Sequence, residues 1–202
     1  MSIKRPKGTQ DILPGIVDQW QYLESQIRQI CQDYGYEEIR TPVFESTELF
    51  ERGVGDTTDI VNKEMYTFLD KGQRSVTLRP EGTASVCRAF VENKLYALTQ
   101  PVKLYYYGPM FRYENTQAGR FRQFHQFGVE VLGADDPLVD ADVIHLIWEF
   151  FRRIGLRGIR VELNSVGCPH CRADHRVKLQ EFLKSHKKSL CPDCQARFEK
   201  NP

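Results

Sequence analysis

Apolar residues recur at spacings of three and four through Ile16, Trp20, Leu23, Ile27 and Ile30, which predicts an amphipathic helix from residue 16 to about residue 31. Asp33-Tyr34-Gly35 ends it, with glycine supplying a left-handed cap. YEEIRTPVFES then reads as extended, broken at Thr41-Pro42, because proline turns the residue before it away from helix. SVTLRPEGT, Ser75 to Thr83, is a short strand running into a turn, and TASVCRAFVENKL is helical. KLYYYGPMFRYE places strand formers on both sides of a Gly108-Pro109 break. Asp136-Pro137 opens a helix through Ile144, Ile147, Trp148 and Phe151, with proline at a tolerated first-turn position. Trp20 and Trp148 lie on helix stripes and read as core. GIRVELNS sets Ile159, Val161 and Leu163 on one face of a strand, and ADHRVKLQEFLKSHKK is a helix. Strands therefore cluster at 36–45, 75–80, 103–114, 122–133 and 158–165 with helices between them, the pattern of an α+β domain on a mostly antiparallel sheet.

Composition narrows the class. A chain of 202 residues, 41% hydrophobic and 27% charged, has room for one good core and a small second unit. The 28 Lys and Arg nearly cancel the 27 Asp and Glu, so no global basic field marks a nucleic-acid binder and any anion contact must be local. MSIKRPKGTQDILPG has no apolar core of the kind an export signal carries, and no apolar run is long enough to span a bilayer. Of six cysteines, the last four form two pairs, CPHC and CPDC. Without an export signal, such pairs point to metal or reduced thiols rather than disulfides, and to the cytoplasm.

The stretch FRYENTQAGRFRQFHQFGVEVLG, Phe111 to Gly133, carries an unusual charge load for a hairpin. With a period of two, Arg112 and Glu114 share one face of the first strand, and Phe124, Gln126, Gly128 and Glu130 share one face of the second. Phe127, Val129 and Val131 take the opposite face, with His125 beside them as a packed core histidine. One side is core. The other combines a guanidinium, two carboxylates, an amide, an aromatic ring and a glycine that leaves room for a ligand, and NTQAGRF brings Arg120 over it. Such a surface suits phosphates and a flat base, since arginine bonds phosphate oxygens bidentately. The other reading is a solvated outer face in which Arg112 pairs with Glu114. The three tyrosines Tyr105, Tyr106 and Tyr107 read as strand packing. Arg79 and Arg122 suit structural contacts as well as ligand contacts.

FRYE followed by AGRFRQFHQFGVEVLG resembles motif 2 of class II aminoacyl-tRNA synthetases. KGTQDILP at 7–14, TLRPEGT at 77–83 and RQFHQFGVE at 122–130 are together similar to the histidyl-tRNA synthetase family, and RTPVFESTELFERGVG resembles that family's motif 1 at a dimer interface. The resemblance implies a class II catalytic sheet that activates histidine with ATP and Mg2+ and passes it to histidine tRNA, in a homodimer. By matching position, it implies that Arg112 is catalytic and holds the α-phosphate, Glu114 contacts the adenine amino group, Phe124 stacks on adenine and Arg120 reaches the distal phosphates. Glu81 would accept from the substrate ammonium with help from Thr83, and Gln126 and Glu130 would line the histidine pocket. At Glu81 the alternative is a carboxylate that complements a helix N-terminus.

Cys168, Cys171, Cys191 and Cys194 have the C-x2-C, nineteen residues, C-x2-C spacing of a closed four-thiolate structural zinc site. Reduced, metal-free thiols are the alternative. His170 and His175 are weaker ligand candidates. Motif 3, the glycine-rich histidine-specific segment and an anticodon-binding domain are not found. The chain therefore reads as the N-terminal part of a catalytic domain, with residues 1–165 a partial core and 166–202 the start of an insertion. Two further readings stay open. One is a regulatory paralogue similar to the synthetase-like subunit of ATP phosphoribosyltransferase, although such a regulator has no need of Arg112, Glu114 and Arg120. The other is a non-catalytic interaction fragment, whose RNA-binding version the near-neutral charge disfavours.

Overall fold

The first helix buries the C-terminal part of the stripe its spacing lays out, while Ile16 lies just before it and stays exposed. In the computed structural model, which describes residues 2–54, 64–165 and 167–198, helix α1 (Val17–Asp33) sinks Ile27, Ile30 and Cys31 into the core. Gly35 at φ +74° turns the chain, and the Tyr36 amide donates to the Cys31 carbonyl at 2.8 Å. Strand β1 (Glu37–Glu38) then pairs in parallel with β5 (Val102–Phe111). Beyond Thr41-Pro42 the chain leaves that sheet, and β2 (Phe44–Ser46) pairs antiparallel with β4 (Ser75–Leu78). The extended segment expected over 36–45 is thus two short strands in two different sheets, divided at the proline.

Two elements escaped the periodicity. Helix α2 (Thr47–Val54) follows β2 directly, fully burying Phe50 and pairing Glu48 with Arg52 one turn on. Strand β3 (Tyr66–Leu69) is an edge strand on β4, where the Thr67 and Thr77 hydroxyls meet at 2.8 Å. Instead of one mostly antiparallel sheet there are two three-stranded ones, β1-β5-β6 (with β6 at Gln123–Leu132) and β2-β4-β3, the first mixed and the second antiparallel. The α+β class stands.

The hairpin of β5 with β6 (Gln123–Leu132) is the centre of the fold, in register from Val102↔Leu132 to Phe111↔Gln123. Its first strand stops at Phe111, three residues short of the expected end, although the Arg112 amide still donates to the Arg122 carbonyl at 2.9 Å. One face, with Tyr105, Tyr107, Phe127, Val129 and Val131, packs against α1 and α4 (Pro137–Arg153) around Leu146 and Phe150. His125 lies on this face against Trp20 and Tyr107, with ring centroids 4.7 and 5.6 Å away. The opposite face packs Leu104, Tyr106 and Met110 against Val86 of α3 (Thr83–Glu92). Burying a side chain such as Leu146 contributes about 1.5–3 kcal/mol, so a one-residue register slip would forfeit several such terms. Asp136 caps α4 by accepting from the Leu138 amide at 2.9 Å. Trp148, expected in the core, is 40% exposed and stacks on His145 at the surface.

The chain divides into two compact units, one running to Ile159 and the other beginning at Arg160. In the second, the strand expected over 158–165 does not form. Its alternation is present, but Val161 and Leu163 are exposed and no strand pairs with them among the described residues. Helix α5 (Pro169–His186) follows, then α6 (Pro192–Arg197). No helix among the described residues is long and apolar enough to cross a membrane.

Candidate functional site

The start of α3 and the C-terminal part of β6 build one end of a polar floor. Glu81 accepts from the amides of Thr83 at 2.5 Å and Ala84 at 3.0 Å, so the carboxylate does complement the helix N-terminus. The Thr83 hydroxyl donates to Glu130 Oε1 at 2.7 Å and thereby ties the helix to the sheet. Burial pushes the Glu130 carboxyl above the ordinary glutamate value. The Thr83 hydrogen bond opposes that rise and the nearby Glu81 charge adds to it. Two carboxylates held this close attract a cation. Beneath them lies Tyr106, buried, its hydroxyl pushed up to about 12 by desolvation.

Gly128 does not leave room for a ligand, as its place on the strand suggested. A Cβ there would meet Tyr106 Cζ at 2.3 Å, and a Cβ on Gly82 would meet the same ring at 2.3 Å. The tyrosine ring fills the space of both glycines.

The other end of the floor is cationic. The Arg112 Nε donates to the Pro80 carbonyl at 2.8 Å, and its guanidinium carbon sits 5.3 Å from the centre of the Phe124 ring. Although Arg112 and Glu114 lie past the strand end, Arg120 folds back over them, its Nε 2.9 Å from Glu114 Oε2. That contact is an ion pair without hydrogen-bond alignment, since the same buried oxygen has no hydrogen-bond partner. Gln126 Oε1 is a second buried acceptor without a donor. Cross-strand pairing puts Phe124, Gln126, Gly128 and Glu130 on one face, at intervals of roughly 6.8 Å, about 20 Å from end to end. The arrangement can therefore receive an anion and a ring at one end, N–H donors in the middle and a cation at the other.

A sequence model described as histidyl-tRNA synthetase matches residues 8–174. The chain belongs to the histidyl-tRNA synthetase family. It is 73% identical to a histidine–tRNA ligase of Desulfitobacterium hafniense across all of its own length and 48% of that protein's. It thus spans about half the length of the curated relatives it matches. Among solved structures it is similar to the apo S. aureus histidyl-tRNA synthetase, with a TM-score of 0.79 at 44% identity over 100% of this chain and 47% of that one. It is also similar to a protein described as an ATP phosphoribosyltransferase regulatory subunit/histidyl-tRNA synthetase from Bacillus halodurans, with a TM-score of 0.70 at 25% identity over 98% and 56%.

Within this family member, Arg79 and Arg122, for which the sequence left structural and ligand contacts equally open, make contacts to the protein itself. Arg79 is buried, donating from Nε to the Pro109 carbonyl at 2.9 Å and from Nη1 to the Thr41 carbonyl at 3.0 Å, which makes it a structural clamp. Arg122 lies 3.7 Å over the Tyr113 ring and donates to the Glu114 carbonyl at 3.3 Å. The Gly8 carbonyl receives the amides of Arg122 and Gln123, at 2.8 and 3.2 Å, so the N-terminal turn is clipped to the loop that carries the arginines.

The cysteines do not converge. Cys168 and Cys171 start α5, and Cys191 and Cys194 start α6 beyond its far end. An 18-residue helix spans about 27 Å, more than the four residues after it can retrace. Among the described residues no three His, Cys, Asp or Glu side chains group as metal ligands. Among the described residues the four thiols are thus not gathered into the expected four-thiolate site, and neither His170 nor His175 groups with them.

Proposed function

We propose that the first unit is the nucleotide and amino-acid floor of a histidine–tRNA ligase. The observation that carries this reading is a polar floor along β6 with the guanidiniums of Arg112 and Arg120 at one end and the carboxylates of Glu81 and Glu130 at the other. ATP would lie with adenine near Phe124 and Glu114, whose carboxylate would accept from the amino group. Arg112 would hold the α-phosphate and Arg120 the distal phosphates. Histidine would lie toward Glu130, its ammonium at Glu81 and Thr83 and its imidazole at Gln126 and Glu130. A carboxylate oxygen of histidine attacks the α-phosphorus in line, the bond to pyrophosphate breaks, and histidyl-adenylate forms. The 3′-terminal hydroxyl of histidine tRNA then attacks the acyl carbon and AMP leaves. Little proton transfer is needed in the first step, so the arginines act by position and charge. Mg2+ would arrive on the phosphate oxygens, a mode that needs no closed protein cage.

The exposed apolar residues Phe44 and Phe68, on one face of β2-β4-β3, support a homodimer through the motif 1 region, of which Gly55 lies outside the described residues. We assign residues 1–165 to a partial catalytic core and 166–202 to the start of an insertion, in a cytoplasmic protein. The likeness to a regulatory subunit favours a second reading, a histidine sensor. Exchange of labelled pyrophosphate into ATP, run with each of the twenty amino acids, separates the two. Exchange with histidine alone supports the ligase. Histidine binding without ATP binding, seen by calorimetry alongside absent exchange, overturns it in favour of the sensor.

A further inference from the structure

The second unit opens on a local structure that the ligase reading does not use. Cys168 occupies the N-cap of α5, Pro169 follows, and Cys171 stands three residues on. The two residues bond reciprocally. The Cys171 amide donates to the Cys168 sulfur, and the Cys168 amide donates to the Cys171 sulfur at 3.0 Å. The two sulfurs lie 3.5 Å apart and both side chains are exposed. The preceding residue is shaped to this pair. Gly167 has φ +73°, and a Cβ on it would meet the Cys171 sulfur at 2.6 Å, so a side chain there would displace that thiol.

We propose that Cys168 and Cys171 form a thiol–disulfide exchange site, a vicinal dithiol that closes reversibly to an intramolecular disulfide using a small organic disulfide as oxidant. Three observations support it. Backbone amides at a helix start stabilise a thiolate, the attacking species. Bond formation needs the sulfurs to approach by only about 1.5 Å from their present contact. The length of α5 keeps the pair out of a shared site with Cys191 and Cys194, so these sulfurs are not committed to a four-thiolate cluster. In the exchange, the Cys168 thiolate attacks one sulfur of the oxidant R–S–S–R, forming a mixed disulfide and expelling RS−. Cys171 gives its proton to solvent and attacks the Cys168 sulfur, expelling the second RS−. The dithiol loses two electrons, and the oxidant becomes two thiols. Under reducing conditions such a pair cycles and responds to the thiol pool.

The test uses the reduced 202-residue chain, exposed to increasing glutathione disulfide, quenched with N-ethylmaleimide and digested with trypsin. Residues 161–172 form one tryptic peptide holding Cys168 and Cys171, and 189–197 form another holding Cys191 and Cys194. The expected product is peptide 161–172 lacking two hydrogens and unalkylated. It should appear at a glutathione disulfide concentration about ten-fold below that which modifies Cys87, an exposed single thiol. Cys171→Ser should instead leave glutathione trapped on Cys168. Any of three outcomes overturns the proposal. These are stable glutathione adducts on both wild-type cysteines, cross-linking of peptide 161–172 to 189–197, and protection of all four thiols that only a zinc chelator relieves.

Discussion

Gly128→Ala should unfold the first unit more easily than any other single-methyl addition on β6, because of Tyr106. The new Cβ would sit 2.3 Å from Tyr106 Cζ, about 1 Å short of ordinary contact. The ring cannot retreat freely, since it already fills the space that a Cβ on Gly82 would take, and the side chain is buried. Gly128 is not at positive φ, so backbone strain adds nothing and the cost is overpacking alone. Overpacking costs about 1–3 kcal/mol, and a ring blocked by a second glycine puts this case near 3 kcal/mol. For a protein of this size that corresponds to a fall in Tm of about 6–12 °C. Both tryptophans, Trp20 and Trp148, belong to the first unit, so their fluorescence during urea unfolding reports on it alone. The deciding measurement is a double-mutant cycle with Tyr106→Leu, which removes the atoms that the Cβ would strike. In that background Gly128→Ala should cost less than about 1 kcal/mol, a coupling of about 2 kcal/mol. An equal cost in both backgrounds would refute the argument, and would show that Gly128 is needed for some reason other than the ring.

Arg112→Ala should leave stability within about 1 kcal/mol of the parent but lower histidine-dependent pyrophosphate exchange by about two to three orders of magnitude; unchanged exchange removes Arg112 from the phosphate site. Arg79→Ala should lower urea stability by about 3 kcal/mol, because the Pro109 and Thr41 carbonyls lose their donor together. For Glu130 the raised folded value means that the native state holds its proton longer than the unfolded chain does. This carboxyl therefore subtracts from stability as pH rises from the ordinary glutamate value of 4.5 through the raised one. Glu130→Gln should flatten that component, as denaturant titrations on either side of the window would show.

How much of this was legible in the sequence depended on whether a residue's neighbours were close along the chain. Phe124, Gln126, Gly128 and Glu130 were placed on one face by period alone, and β6 carries them there. The capping role of Glu81 was also readable, because its partners are two and three residues away. What depends on distant pairing was not. Gly128 looked like empty space, because nothing local to it reports a tyrosine on the neighbouring strand. The alternation of 158–165 has the form of a strand, but alternation does not supply a partner, and Leu163 is left exposed. The cysteine spacing suited one zinc ion only while the intervening residues were free to fold back. As a continuous helix they hold the pairs apart.

The carboxylate of Glu81 offers roughly four lone-pair directions. Two are already committed to the first amides of α3, one from each oxygen. On the proposed function, an incoming ammonium would find only the remaining two. The helix start would then limit the side from which a ligand bonds, which would make Glu81 a directional receptor rather than a diffuse negative charge.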